Sequence, residues 1–330
     1  MKSYRFAFTL LAGCTAFAQS GTDANFHLAL PDHTGQLTWI ADGFKIAESS
    51  AKPRGREVGI RGEQNSGRLA FLGFLFLVPK EDVLTSAKCR GEALAEEKLD
   101  ASGLKILRTL EMDRGSDLSI SQVTYSTANR DGSTQYHVRG FVASGDICGD
   151  LEIYSKSPIR ETDPDLTKIF STFRFDSSYT PKFGDVVLYG QILYNAKNFQ
   201  AAAPIFEKAL TMLPEDGAPF PSAKAARRVL TDQTGMAYGI SGNLEKARSI
   251  FEAGVAADPK YPLYYYNLAC ADAGENKLTA ARTHLQQAFA HRADLIPGEE
   301  MPDPTTDDSF TPFRGNREFW TFVEGLNGKK

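Results

Sequence analysis

Cys14, Cys89, Cys148 and Cys270 are the four thiols of the chain, and their spacing limits what they can do. No CxxC pair and no Cys/His cluster occurs, so neither a zinc site nor a thioredoxin-like redox pair is expected. The simplest arrangement of the last three bridges Cys89 to Cys148 and leaves Cys270 as a small buried apolar residue. His27, His33, His137, His284 and His291 include no HExxH and no pairing with a nucleophile motif. His284 and His291 lie seven apart on one helical segment and read as solvated. GxSxG, a Walker-type loop and GxGxxG after a strand are all missing, and the carboxylates fall mainly on helix surfaces and loops. The expectation is a noncatalytic protein without metal or cofactor.

Composition excludes further classes. The chain has 330 residues, 42% hydrophobic and 24% charged, a globular profile long enough for two domains. Its formal charge of −4 gives no global cationic field for nucleic acid or an anionic membrane, so no nucleic-acid partner is expected. Lys52, Arg54, Arg56, Arg61 and Arg68 form the densest basic stretch, best read as a solvated loop.

Lys2 and Arg5 followed by an apolar run from Phe6 to Phe17 read as an export signal, too short to span a bilayer. Two processing routes are open. Ala16-Phe17-Ala18 before Gln19 fits ordinary cleavage after residue 18, whereas Leu11-Ala12-Gly13-Cys14 resembles a bacterial lipobox that would lipidate Cys14. The first route removes two cations and takes the charge to −6. The protein is expected to be periplasmic or secreted, or alternatively held at the cell envelope by a lipid on Cys14, its sole membrane contact.

Residues 26–176 read as an α+β domain with a mainly antiparallel sheet. Phe26 to Leu30 opens as a strand and Leu37 to Ile46 contains a second, while the polar, Gly-rich Lys52 to Gly67 suggests a loop or irregular hairpin. Leu69 to Val78 predicts a strand buried on both faces. A helix is expected over Lys80 to Asp100, with Val83, Ala87, Leu94 and Ala95 as its buried stripe and Glu81 and Asp82 near its positive end. Ile120–Thr127, Gln135–Ala143 and Ile147–Lys156 then alternate as a three-stranded meander. Asp163-Pro164 starts a short helix carrying Leu166, Ile169 and Phe170. This element order resembles the PsbP-like photosystem accessory fold.

After a linker at 177–182 the period changes. Gly190, Ala202, Phe206, Ala209 and Pro214 recur as Gly235, Ala247, Phe251, Gly254 and Pro259 with spacings of 12, 4, 3 and 5 residues. Ala269, Ala281, Leu285 and Ala288 repeat the first three spacings, 34 residues after the second copy. The first two copies are 45 residues apart, which places an 11-residue insertion around Glu215 to Ala225. Small residues let paired helices approach, and the bulky ones fill the space between hairpins. This pattern resembles the tetratricopeptide repeat. The resemblance implies three helical hairpins over 183–296. Residues 297–330 follow as an acidic, Pro-rich segment and a capping helix over Asn316 to Leu326. Asp294 to Ser309 holds six carboxylates and no basic residue, and is expected to be extended and solvated.

The same resemblance implies a peptide-binding face on the first helix of each hairpin. Its lining would be Val187, Gln191, Tyr194 and Asn195, then Asp232, Met236 and Ile240, and finally Tyr266 and Cys270. No Lys or Arg is among them, which disfavours a carboxylate clamp and favours a protein or peptide partner with apolar side chains. Tyr264, Tyr265 and Tyr266 are adjacent, so a helix would leave at least one exposed or facing the groove. The expected function is noncatalytic protein binding or scaffolding in the bacterial cell envelope. The alternative is an enzyme or a small-molecule or lipid binder with its site in the first domain.

Overall fold

The computed structural model describes residues 25–53, 55–78, 84–100, 104–113, 119–129 and 131–327. The export signal with Cys14, and Arg54, Glu81, Asp82 and Val83, lie outside the described residues. The chain forms two compact units, one ending at Asp185 and the other beginning at Val186. The first is an α+β unit with antiparallel sheets, and the second is helical.

Two sheets build the first unit. A three-stranded sheet joins β1 (Asn25–Ala29), β2 (Gln36–Ile40) and β10 (Arg174–Asp176). The larger sheet comprises β3 (Phe44–Lys52), β4 (Glu57–Gln64), β5 (Ala70–Leu77), β6 (Lys105–Asp113), β7 (Ser119–Ala128), β8 (Thr134–Ser144) and β9 (Ile147–Ser155). Its order is β3-β4-β5-β9-β8-β7-β6, every pair antiparallel. Phe26, Trp39, Phe44 and Phe71 form an aromatic core between the sheets, with Phe26 and Phe71 edge-on at 4.8 Å. The helix α1 (Ser86–Asp100) packs on β7 and β8, where Cys89 and Cys148 are bonded with their Cα atoms 6.0 Å apart. The short α2 (Pro164–Thr172) is capped by the Asp163 carboxylate, which accepts from the amides of Asp165 and Leu166. It buries Leu166, Ile169 and Phe170.

The structure refines four readings. Of the two alternatives for Lys52 to Gly67 the hairpin holds: it contains β4, paired with β3 with a register shift at Ile46/Glu48, and Gly59 and Gly62 lie under the rings of Phe74 and Phe71 of β5. The apolar run β5 alternates: Phe71 and Leu75 are buried, whereas Phe74 and Phe76 are half-buried, so only one face is fully covered. Among the described side chains of α1, Ser86, Cys89, Ala93 and Leu94 are buried, so Leu94 of the expected stripe faces inward; Ala87 and Ala95 are exposed, since the disulfide and sheet set which side faces inward. In the basic stretch Lys52 and Arg61 lie on strands rather than in a loop; Lys52 pairs with Glu57, Arg61 with Glu48 and Glu63, and Arg68 with Asp163 and Asp165, while Arg56 is exposed.

The helical unit contains three hairpins. These are α3 (Phe183–Asn195) with α4 (Phe199–Thr211), α5 (Ala223–Ile240) with α6 (Leu244–Ala257), and α7 (Pro262–Gly274) with α8 (Leu278–Ala290). A Cβ on Gly190 would lie 2.7 Å from the Phe206 ring, and one on Gly235 2.5 Å from Phe251, so the repeated glycine is the contact that lets each pair close. The turns repeat too. Lys197 (φ 60°), Gly242 (φ 94°) and Asn276 (φ 60°) occupy equivalent left-handed positions. In each turn the next amide returns to the first helix: Asn198 N to Leu193 O, Asn243 N to Tyr238 O, and Lys277 N to Asp272 O. The helix α9 (Arg317–Asn327) places Phe319 and Val323 in a cluster with Ala269, Ala281, Leu285 and Ala288, closing that end of the stack.

Candidate functional site

The first-helix face is held together by polar side chains that cross between neighbours. Gln233 Nε2 of α5 donates to Gln191 Oε1 of α3 at 3.0 Å, and Gln191 Nε2 donates to Asn195 Oδ1 at 3.0 Å. Between α5 and α7, Asn267 Nδ2 donates to Asp232 Oδ1 at 2.6 Å. These buried amides fix the lateral register of the three helices, because an unpaired one would be left without water.

The expected lining residues fall into three groups. Val187, Gln191 and Tyr194 are buried; the Tyr194 hydroxyl lies 3.8 Å from Met236 Sδ and its ring meets Phe199 edge-on at 5.0 Å. These three side chains pack within the helical unit rather than standing open on its surface. Asp232 is also buried, and burial followed by the nearby Glu299 charge pushes its carboxyl up to about 8, although the Asn267 bond favours ionisation. Asn195 is exposed and Met236 and Ile240 are half-buried, so the accessible portion gathers at the C-terminal ends of α3 and α5.

Tyr266 and Cys270 form the third group, and they are covered by the chain itself. Tyr266 Oη donates to Asp307 Oδ2 at 2.9 Å, and Cys270 Sγ approaches the same oxygen at 3.8 Å. Phe310 meets the Tyr266 ring edge-on at 6.0 Å. Earlier in the same segment, Tyr261 Oη donates to Glu299 Oε1 at 2.8 Å, and Arg228 Nη1 donates to the Asp294 carbonyl at 2.8 Å. The solvated reading of Asp294 to Ser309 is therefore corrected in part: Glu300, Asp303 and Asp308 are exposed, but Asp307 and Ser309 are buried and Asp308–Phe313 makes a 3-10 turn on α7. Phe310 and Phe313, three apart and just ahead of Phe319, are the signal in the sequence that points to this docking. All three adjacent tyrosines are buried as well, with Tyr264 in the α6–α7 core and Tyr265 and Tyr266 in the cluster closed by Phe310. His284 Nδ1 lies 2.6 Å from Asp272 Oδ2, and His291 stacks on Tyr265, so neither is simply solvated.

The first unit holds a cavity of about 690 Å³ lined by Phe74, Phe76, Arg56, Glu92, Arg139 and Asp150, among others. Arg139 grips Asp150 through Nε at 2.9 Å and Nη2 at 2.6 Å. Deeper in the sheet, Glu152 Oε1 accepts from Tyr125 Oη at 2.9 Å and lies 2.5 Å from His137 Nδ1, whose Nε2 meets Thr127 at 3.0 Å. Burial opposes ionisation of Glu152, but His137, Arg139 and Tyr125 hold its carboxyl below the usual range. Both nitrogens of His137 are engaged, which holds its ring in place beside Glu152. Among the described residues no group of three His, Cys, Asp or Glu side chains converges as a metal site.

Comparison with known proteins bears on the helical unit. No curated protein sequence matches the chain. Among solved structures, PcrH from Pseudomonas aeruginosa is similar at 14% identity, over 44% of this chain and 92% of that one, with a TM-score of 0.30. The Sgt2 TPR domain from Aspergillus fumigatus is similar at 20% identity, over 45% and 83%, with a TM-score of 0.30. SycD of Yersinia enterocolitica, in complex with a peptide of the translocator YopD, is similar at 14% identity, over 43% and 89%, with a TM-score of 0.29. The tetratricopeptide repeat family matches residues 233–261, the stretch that carries Gly235, Ala247, Phe251, Gly254 and Pro259.

Proposed function

We propose that this chain is a noncatalytic binding protein of the bacterial cell envelope, which holds a peptide segment or partner protein on the first-helix face of its repeats. The observation that carries the reading is the side-by-side register of α3, α5 and α7, locked by the Gln191–Gln233 and Asp232–Asn267 bonds. A locked face presents a partner with a rigid surface and little ordering cost. Its accessible end offers Asn195, Met236 and Ile240, a neutral and adaptable patch suited to apolar side chains.

The test is capture from envelope extract by the full mature chain beside a Met236→Ala, Ile240→Ala variant that retains its melting transition. A partner held by the native chain and lost from the variant is the expected result; equal recovery by both would remove this face from the function. Export is read from the signal alone, and the mass of the mature N-terminus decides its form. Cleavage before Gln19 gives a soluble protein, and a diacylated Cys14 gives an anchored one. A second reading, a small-molecule or lipid binder, draws on the 690 Å³ cavity beside Phe74 and Phe76. A ligand retained through purification and lost with Phe74→Ser would favour it.

A further inference from the structure

The segment from Asp294 to Phe313 lies on Tyr266 and Cys270, two of the residues that the repeat resemblance assigns to a guest. It contains six carboxylates and no basic side chain. Two of those carboxylates meet phenols of α7 and its N-cap, Glu299 at Tyr261 and Asp307 at Tyr266. Phe310 and Phe313 follow Asp307 at three and six residues and enter the cluster formed by Tyr265, Tyr266, Ala269 and Cys270. Regular structure within this stretch is confined to the 3-10 turns Arg292–Asp294 and Asp308–Phe313, so little intrinsic helix stability fixes it in place.

The chemistry beneath it is uneven. Phe310 and Phe313 bury apolar surface, which favours the docked state. The acids oppose it: Asp232 is buried near Glu299, and burial also raises the Glu299 carboxyl. Glu299 accepts from the Tyr261 phenol and the Ile296 amide and lies near Arg228, yet its desolvation outweighs these partners. Asp307 is the better satisfied acid, accepting from Tyr266 Oη and from the Ser309 amide of the turn it caps. By contrast, α9 enters the stack through Phe319 and Val323, with Trp320 Nε1 donating to the Phe313 carbonyl at 3.0 Å. The end cap and the acidic strap thus share one aromatic cluster, with Phe313 meeting Phe319 at 4.9 Å, and differ in the buried carboxylates that the strap brings.

We infer that residues 294–313 are an occupant in cis of the α7 part of the binding face, and that the partner which displaces them is an acidic, aromatic segment of the same design. This rests on the protein-binding reading above. Such a partner presents a carboxylate to Tyr266 with aromatic side chains three and six residues beyond it. The strap therefore sets the threshold for binding, since a guest must outcompete a tethered rival whose local concentration is high. A partner lacking either the acid or the aromatics leaves the strap seated.

The test uses the full chain and a synthetic peptide of residues 303–315 as probe. Phe310→Ala should loosen the strap while α9 remains in place, and the peptide should bind this variant at least tenfold more tightly than it binds the native chain. A peptide carrying Asp307→Asn and Phe310→Ala should bind neither. Peptide binding to a folded Phe310→Ala variant no tighter than to the native chain would overturn the inference. If that variant does not fold, hydrogen exchange on the native chain decides: amides of 307–313 should exchange at least tenfold faster than those of α7. Equal rates would mean that the segment opens only with the whole stack and is a structural cap. Failure here, with partner capture still dependent on Met236 and Ile240, removes the strap and leaves the binding face standing.

Discussion

At the scale of single residues, Asp232 is the most consequential side chain of the repeats. Burial and the Glu299 charge raise its carboxyl to about 8, against about 3.9 for an aspartate in an unfolded chain. Between these values the unfolded state has released a proton that the folded state retains. Stability therefore falls as pH rises from about 4 to 8 and levels off above that, losing roughly 1.36 kcal/mol for each pH unit in this window. Asp232→Asn mimics the neutral acid and still accepts from Asn267. Denaturant melts at pH 5 and pH 8 should show the native helical unit losing several kcal/mol across that interval and the variant losing much less, whereas parallel losses would show that Asp232 ionises freely in the fold. The sequence does not reveal such a residue, because its spacing marks only a face, and what covers that face comes from residues more than 60 positions away.

At the scale of elements, the helical hairpins are legible in the sequence because they repeat a packing contact. Gly190 and Gly235 each close against a phenylalanine at the same spacing, and the physical need for a missing side chain is visible as a letter. The turns repeat just as strictly, but the residue types hide it: Lys197 and Asn276 adopt the left-handed backbone that Gly242 takes without strain. For lysine that conformation costs about 1 kcal/mol or more, partly offset by the greater freedom of glycine in the unfolded chain. Lys197→Gly should stabilise the helical unit by about 0.5 to 1 kcal/mol, read as a higher denaturant midpoint with an unchanged slope. A lower midpoint would show that the lysine side chain contributes more than its backbone costs. The strand β4 is hidden for a related reason, since Gly59 and Gly62 suggest a loop until the rings of Phe74 and Phe71 are placed over them. The strand β6 escapes a sequence reading because its side chains are nearly all exposed, leaving no alternation to read.

At the scale of the whole molecule, the two units draw stability from different sources, and perturbations should separate them. The first is stapled by Cys89–Cys148 across 59 residues, a closure that chain entropy values at about 4 kcal/mol. The second has no disulfide among its described residues, because Cys270 is free and buried, and it relies on close contacts such as Gly235 against Phe251. A Cβ at Gly235 would already lie 2.5 Å from that ring, so Gly235→Val overpacks the hairpin and should cost about 1 to 3 kcal/mol. Thermal unfolding of the full chain should then resolve two responses. Reductant lowers the transition that carries the sheet signal and leaves the helical one in place, while Gly235→Val lowers the helical transition alone. If either perturbation moves both transitions together, the units fold as one cooperative body, and binding on the repeats would be coupled energetically to the sheet. Separate responses mean that a partner seated on α3 and α5 stabilises the helical unit only, which makes the shift of that one transition a direct assay for the partner.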